Sequence, residues 1–299
     1  MRRLNTIASI VIHKAGDYAR LVRLDRPIGL WLLLWPMLWG LVIAADGHPH
    51  QRIFVIFALG VLLTRSAGCA LNDFADRRID PHVARTRTRP LATGLVSAKE
   101  ALCIYVLLSL SAFALVLQLD PYTIQLSLVG AGLTLVYPFL KRFFSMPQVW
   151  LGLAFSWSIP MVFAAETGHI GNTAWLLLIA ALLWTTAFDT LYAMVDRGDD
   201  VQLGVRSTAI LFGRADRIII ALLQLLTLTM LAVVGVRLNM GHWFYMGLLA
   251  GTSVFAWHQW LIRTRDPAAC FQAFLGNHWF GLCVFVGIAL DFLFRHSLS

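Results

Sequence analysis

"FVIFALGVLLTRSAGCALNDFADRRID", residues 54 to 80, passes from a long apolar run straight into three aspartates and two arginines within eight positions. A run of about 18 apolar residues or more reads as a transmembrane helix, so the charged end must lie where this helix leaves the lipid. Comparable runs extend over roughly 28–45, 101–119, 123–140, 149–165, 174–195, 218–236, 243–262 and 276–294. Together with 54–71 they predict nine transmembrane helices and an all-α, polytopic integral membrane protein. Composition agrees: the chain is 59% hydrophobic and only 13% charged, with a mean hydropathy of +0.72, whereas soluble domains carry about 25% charged residues.

The net charge of +8 raises the question of a nucleic-acid partner, and the positions of the basic residues answer it. When the segments before the first helix and after the second, fourth, sixth and eighth are assigned to one side, only Arg52, Arg237 and Arg295 fall on the other. Basic loops are retained in the cytoplasm, which puts the amino terminus inside, the carboxyl terminus outside and both longer polar connections inside. The basic character is thus topology, with the lipid bilayer as partner and no nucleic acid. Residues 1–25, with Arg2, Arg3, Lys14, Arg20 and Arg23 around "IASIVI", read as a cytoplasmic surface segment on anionic lipid. Residues 26–299 form the membrane domain. Cys69, Cys103, Cys270 and Cys283 are too scattered for a disulfide or zinc framework, and "HPH" at 48–50 reads as an external loop tip.

The two longest polar connections, 72–99 and 196–216, share a pattern. "DRRID" at 76–80 and "DRGDD" at 196–200 have the same D-R-x-x-D spacing, each with basic residues downstream, as an internal duplication of helical units would produce. At 3.6 residues per turn, Asn72, Asp76 and Asp80 form one stripe with Asp73 at its edge, and Asp189, Tyr192, Asp196 and Asp200 form another. Such loops can be ordinary solvated connections in which acids balance bases. Asp189 and Tyr192 argue otherwise, because they carry the second stripe back into the span, where an acid is costly unless it has a function.

Facing carboxylates require a counter-ion. Asp and Asn oxygens without neighbouring Cys or His favour a hard cation, and Mg2+ takes one or two carboxylates while leaving positions for phosphate. Arg77, Arg85, Arg87, Arg89 and Arg206 would repel a bare metal but hold its phosphate ligand through charge-assisted bonds. Acid and base together point to a metal-bound polyphosphate at the membrane surface, and a prenyl diphosphate has the matching amphipathic shape. Departure of its diphosphate leaves an allylic cation that aromatic faces stabilise. "WLLLWPMLWG" at 31–40 and "WLGLAFSW" at 150–157 supply candidate rings, though tryptophans also anchor spans at interfaces. "YPFLKR", 137–142, brings Lys141 and Arg142 to the same side, for an anionic acceptor or a diphosphate oxygen. A cation transporter with an aspartate site is the competing reading, and it leaves the arginine-rich loop without a role. The CDP-alcohol phosphotransferases also place aspartates at a membrane surface, but their D-G-x-x-A-R opening is absent.

In these residues the chain resembles the UbiA-type intramembrane aromatic prenyltransferases, and within them the branch that prenylates 4-hydroxybenzoate in bacterial ubiquinone synthesis. The likeness runs almost end to end, through "RLDRPIGLWLLLWPMLWG", "RSAGCALNDFADRRIDPHVARTRTRPL", "YPFLKR", "WSIPMVFAA", "DTLYAMVDRGDD" and "STAILFG". It implies nine helices around a central cavity in the bacterial inner membrane, Mg2+-dependent ionisation of a polyprenyl diphosphate, and alkylation ortho to the phenol of 4-hydroxybenzoate. Asn72, Asp76, Asp80, Asp196 and Asp200 are the implied metal ligands, the four aspartates being catalytic. Arg77, Lys141 and Arg142 are the implied phosphate or carboxylate partners, and Arg206, Asp189 and Tyr192 complete the expected substrate site. A guanidinium can grip the acceptor carboxylate with two parallel bonds, which favours Arg142 as its anchor, with Arg26 or Lys141 next. Leu191 and Gly198 stand where that branch usually has polar or acidic residues, while the D-x-x-x-D spacing is intact.

Overall fold

The structure, a computed structural model, describes residues 14–295; "IASIVI" lies outside the described residues. After a helical segment over 14–21 come α1 (Ile28–Ala44), α2 (Gln51–Asp76), α3 (Ala98–Val116), α4 (Pro121–Leu140), α5 (Pro147–Ser156), α6 (Ser158–Thr167), α7 (Asn172–Leu203), the short α8 (Thr208–Phe212), α9 (Asp216–Arg237), α10 (His242–Leu261) and α11 (Pro267–Arg295). No strand occurs among the described residues.

Among the described residues seven rods are long and apolar enough to cross a bilayer, counting 147–167 and 208–237 as one rod each. The two remaining stretches from the sequence reading are α1, which has 17 residues, and α10, which has 20. Helix ends follow local chemistry. Ser97 and Glu100 close a reciprocal capping box on α3, and Asp120 caps α4 ahead of Pro121. Three helices run further than their apolar stretches. α7 continues through the acidic motif to Gly204, whose φ of +68° ends it. The 208–237 rod opens ten residues before the predicted 218, and α11 starts at Pro267 behind an Asp266 cap.

Contacts run from α1 to α2, α4, α5, α7, α11 and back to α1, closing a ring, with α3 outside α2 and with α9 and α10 outside α7 and α11. Lipid supplies no hydrophobic drive between helices, so packing and hydrogen bonds must hold them. Trp39 and Trp184 stack with centroids 5.2 Å apart, Phe280 closes on both, and Trp39 Nε1 donates to the Gly281 carbonyl at 3.0 Å. Gly281 is required there, because a Cβ would collide with Trp35 and Trp184. Trp35 and Trp39 are therefore packing groups, while Trp31 is exposed. Trp150 and Trp157 donate to the Leu133 and Leu126 carbonyls of α4, and none of these rings faces the cavity described below.

The amino-terminal segment is tied to the membrane domain. Leu21 is buried with Ala70, Val96 and Ala101, Lys14 bridges to Glu100 and the Leu95 carbonyl, and Arg23 reaches Asp73.

Candidate active site

At one end of the ring, α2, α4, α5, α7 and the two polar connections enclose a cavity of about 140 Å³. Asn72, Asp76 and Asp80 enter from one side and Asp189, Tyr192, Asp196 and Asp200 from the other, with Lys141 and Arg206 between them. Nine of the eleven site residues that the family resemblance implies thus meet, and Arg85 and Arg89 of the arginine-rich loop join them. Arg77 and Arg142 do not. Both are exposed, and they donate to the carbonyls of Phe74 at 2.7 Å and Ala75 at 2.6 Å. They cover the end of α2 and do not line this cavity.

The second stripe is continuous helix, as expected. The first is not, because α2 stops at Asp76, the Ile79 amide turns back to the Asp76 carbonyl at 2.7 Å, and Asp80 opens a short 3-10 turn with Pro81. Pro81 has no amide hydrogen to extend the helix, and the turn aims Asp80 into the cavity. Asp73, at the edge of the stripe, faces away. It is fully buried under Arg23 at 2.8 Å and Arg89 at 3.1 Å.

Three of the four cavity cations are matched to an acid, while Arg206 donates to the Phe143 carbonyl at 2.6 Å. Lys141 pairs with Asp76, Arg89 with Asp80 at 2.9 Å, and Arg85 grips Asp196 through Nε at 2.9 Å and Nη2 at 2.5 Å. Arg85 also donates to the Tyr192 hydroxyl and lies 4.4 Å over that ring. Burial works against both arginine charges, yet Tyr192 and Asp196 raise the Arg85 pKa, and Asp73 and Asp80 raise that of Arg89. Both stay charged. Between them the chain makes tight turns, with Arg87 N to Val83 O at 3.0 Å and Arg89 N to Thr86 O at 2.9 Å, so residues four apart share a face and Arg87 points out.

Two features fit a hard cation brought in with an anion. Asp76 Oδ1 is buried with no hydrogen-bond partner, and among the described residues Asp189 and Asp200 reach the cavity without an ion pair. No three acidic, His or Cys side chains converge on a single point among the described residues, so oxygens from elsewhere must complete any metal's shell.

Sequence reasoning missed Tyr137, Gln148 and Ser207 in the lining. Tyr137 was within reach, four residues before Lys141 and on its face. Gln148 accepts from the Thr208 amide at 2.9 Å, and the Arg206 amide donates to the Lys141 carbonyl at 2.9 Å, so the turn carrying Arg206 is fixed to α4 and α5. It also missed Arg65, two turns before Asn72 on α2, whose Nε is buried and unpaired and whose charge acts on Asp189. An arginine inside an apolar run was the available signal.

The UbiA prenyltransferase family model matches residues 33–281. The chain is 55% identical over 278 residues to a 4-hydroxybenzoate octaprenyltransferase of Alkalilimnicola ehrlichii, covering 93% of this chain and 95% of the relative. It is 56% identical over 286 residues to one of Nitrosomonas europaea, covering 96% and 98%. Among solved structures, an apo UbiA homolog from Aeropyrum pernix has a TM-score of 0.78 at 23% identity, covering 87% of this chain and 97% of that one. A UbiA homolog from Archaeoglobus fulgidus bound to GPP and Mg2+ has a TM-score of 0.69 at 18% identity, covering 90% and 99%. These two share the fold.

Proposed function

The chain belongs to the UbiA prenyltransferase family, and on that premise we propose that it transfers a polyprenyl group from a polyprenyl diphosphate to the ring carbon ortho to the phenol of 4-hydroxybenzoate. Diphosphate is released, and the reaction is a step of bacterial ubiquinone synthesis. The observation that carries this reading is the meeting of the α2 and α7 acids with four cations in one cavity at a helix end.

Asn72, Asp76 and Asp80 hold a divalent cation from one side, and Asp196 and Asp200 hold one from the other. Diphosphate oxygens complete each shell, the mode suited to Mg2+ with its one or two carboxylates. Bound there, Mg2+ neutralises charge on the departing diphosphate. Arg85, Arg89 and Lys141 then turn from carboxylates, and Arg206 from the Phe143 carbonyl, to phosphate oxygens, where guanidiniums bind with two parallel donors. Arg85 already lies on the Tyr192 ring, so this is a face that accepts a cation, and it faces the allylic charge once the diphosphate leaves. Asp189 sits about 10 Å deeper than Asp196, two turns down α7, on the path the prenyl carbon takes toward the lipid.

The protein is a multi-pass membrane protein. We place it in the inner membrane with nine crossings, α1 and α10 included, the amino terminus and both acidic motifs being cytoplasmic. The test is product analysis of purified protein in lipid nanodiscs supplied with polyprenyl diphosphate, 4-hydroxybenzoate and Mg2+. A product bearing the prenyl group ortho to the phenol is expected, and its absence with an active membrane preparation as control would overturn the assignment.

A further inference from the structure

Outside the cavity, at the start of α9, Asp216 is fully buried and shared by two arginines. Arg197 Nη2 lies 2.5 Å from one carboxylate oxygen, Arg265 Nε lies 2.9 Å from the other, and the Arg217 amide donates to the carboxylate at 2.6 Å. Taking a carboxylate out of water is costly unless its partners are specific, and this cluster lines neither the acidic cavity nor the smaller one beside Arg23 and Arg65. Its use lies in what the two arginines are attached to.

Arg197 follows Asp196 directly and lies on the flank of α7, about 100° round the axis from Asp196 and 60° from Asp200. Beyond Met194 no residue of α7 is buried, and Gly198 has open space around it. Val195 is the last residue of α7 packed against the core, so beyond it polar ties, and not side-chain packing, hold the acidic turns. Three are present: Arg85 on Asp196, the Ala84 amide on Asp199 at 3.0 Å, and Arg197 on Asp216. In the reaction proposed above, Arg85 leaves Asp196 for the diphosphate, and Ala84 belongs to the same moving loop. Of these three side-chain ties the Asp216 tie alone is free of that exchange, and it is set on the helix itself, whereas the Arg206 amide on the Lys141 carbonyl holds only the turn that follows.

The second arm reaches the same wall. Arg265, at a φ of +57°, also donates to the Arg214 carbonyl at 2.8 Å and precedes Asp266, which caps α11 through the Ala269 amide. The first turns of α11 carry Phe271 and Phe274, and Phe274 packs against Tyr192 with centroids 4.5 Å apart. One carboxylate thus braces both the acidic turns of α7 and the ring that supports Arg85.

We propose that Asp216 and Arg197 are positioning residues, fixing the rotation of the α7 end so that Asp196 and Asp200 face the metal while Arg85 changes partner. The proposal rests on the proposed function. Replacing Asp216 itself strands two guanidiniums and endangers the fold, so the test is made on Arg197, whose side chain is 28% exposed. Mn2+ stands in for Mg2+, and its binding to the purified full chain is followed by electron paramagnetic resonance with inorganic diphosphate present. Arg197→Gln is expected to weaken Mn2+ binding roughly 10- to 100-fold, the usual cost of losing a group that orients a metal ligand. Arg197→Lys, which keeps a charge beside Asp216, should recover most of it. The control is Asp291→Asn, which breaks a buried tie to Gly241 and Arg295 at the far end of α11. It should lower the melting temperature and leave Mn2+ binding intact. Wild-type binding by Arg197→Gln, or equal loss in Asp291→Asn, would overturn the proposal while leaving the proposed function standing. Wild-type protein that binds no Mn2+ with diphosphate would overturn both.

Discussion

Arg85 Nη2 lies 2.5 Å from Asp196 Oδ2, joining the connection after α2 to the acidic turns of α7. These two residues come from the two D-R-x-x-D regions, and their contact puts a cation proposed for the diphosphate on a carboxylate proposed for the metal. On that proposal the cavity pairs three of its cations with acids without substrate and releases them to a metal diphosphate.

Arg85→Ala removes donors intended for the diphosphate. We expect kcat/KM for the prenyl diphosphate to fall by about 10- to 100-fold, as for charge-assisted bonds worth ~1.5–3 kcal/mol. The Mg2+ requirement should not rise, since Asp196 loses a competitor. Steady-state kinetics with Mg2+ and diphosphate varied separately decides it, and an unchanged kcat/KM would remove Arg85 from the substrate site.

Asp73 and Asp76 lie three residues apart and are expected to fail differently. Asp73→Asn breaks a buried pair with Arg23 and Arg89, at a cost of about 3–5 kcal/mol, so its melting temperature should drop while the folded fraction retains activity. Asp76→Asn loses one pair, with the partly exposed Lys141, in place of two, so it should melt at a higher temperature than Asp73→Asn and turn over no substrate. Thermal melts paired with activity per folded molecule separate the two.

Arg142 is held on the Ala75 carbonyl outside the cavity. Arg142→Lys is accordingly expected to leave the KM for 4-hydroxybenzoate within about twofold, the range for exposed substitutions. A large, selective rise in that KM would return Arg142 to the role of carboxylate anchor that its position beside Lys141 suggested.

Orientation is open to labelling. A cysteine near His48 or Gly168 should react with an impermeant reagent added outside intact cells, and one near Thr88 or Val205 should not. Outside labelling of the latter pair would put both acidic motifs on the wrong face for a cytosolic acceptor.

The helices and the meeting of the two acidic stripes were legible because apolar length and helical phase are local properties of the chain. The choice among Arg85, Arg87 and Arg89 was not. "RTRTR" alternates every second residue, but the backbone there turns with helical hydrogen bonds, so Arg85 and Arg89 face in and Arg87 faces out. Asp73 was placed at a stripe edge, yet its partner Arg23 is 50 residues away, a pairing that only the tertiary fold creates. The tryptophans read as candidate cavity walls or as span anchors, because ring chemistry is visible in a sequence and ring direction is not. Trp39 instead spends its indole on Gly281, far along the chain.

The central claim is that both carboxylate faces act together on one metal-bound diphosphate. Diphosphate release by purified protein from polyprenyl diphosphate and 4-hydroxybenzoate tests it most directly, using wild type, Asp76→Ala and Asp196→Ala with and without a chelator. The account predicts release by wild type only, abolished by chelation and restored by Mg2+, with neither variant releasing diphosphate although both insert and fold. Release by both variants, or release that survives chelation, would contradict it.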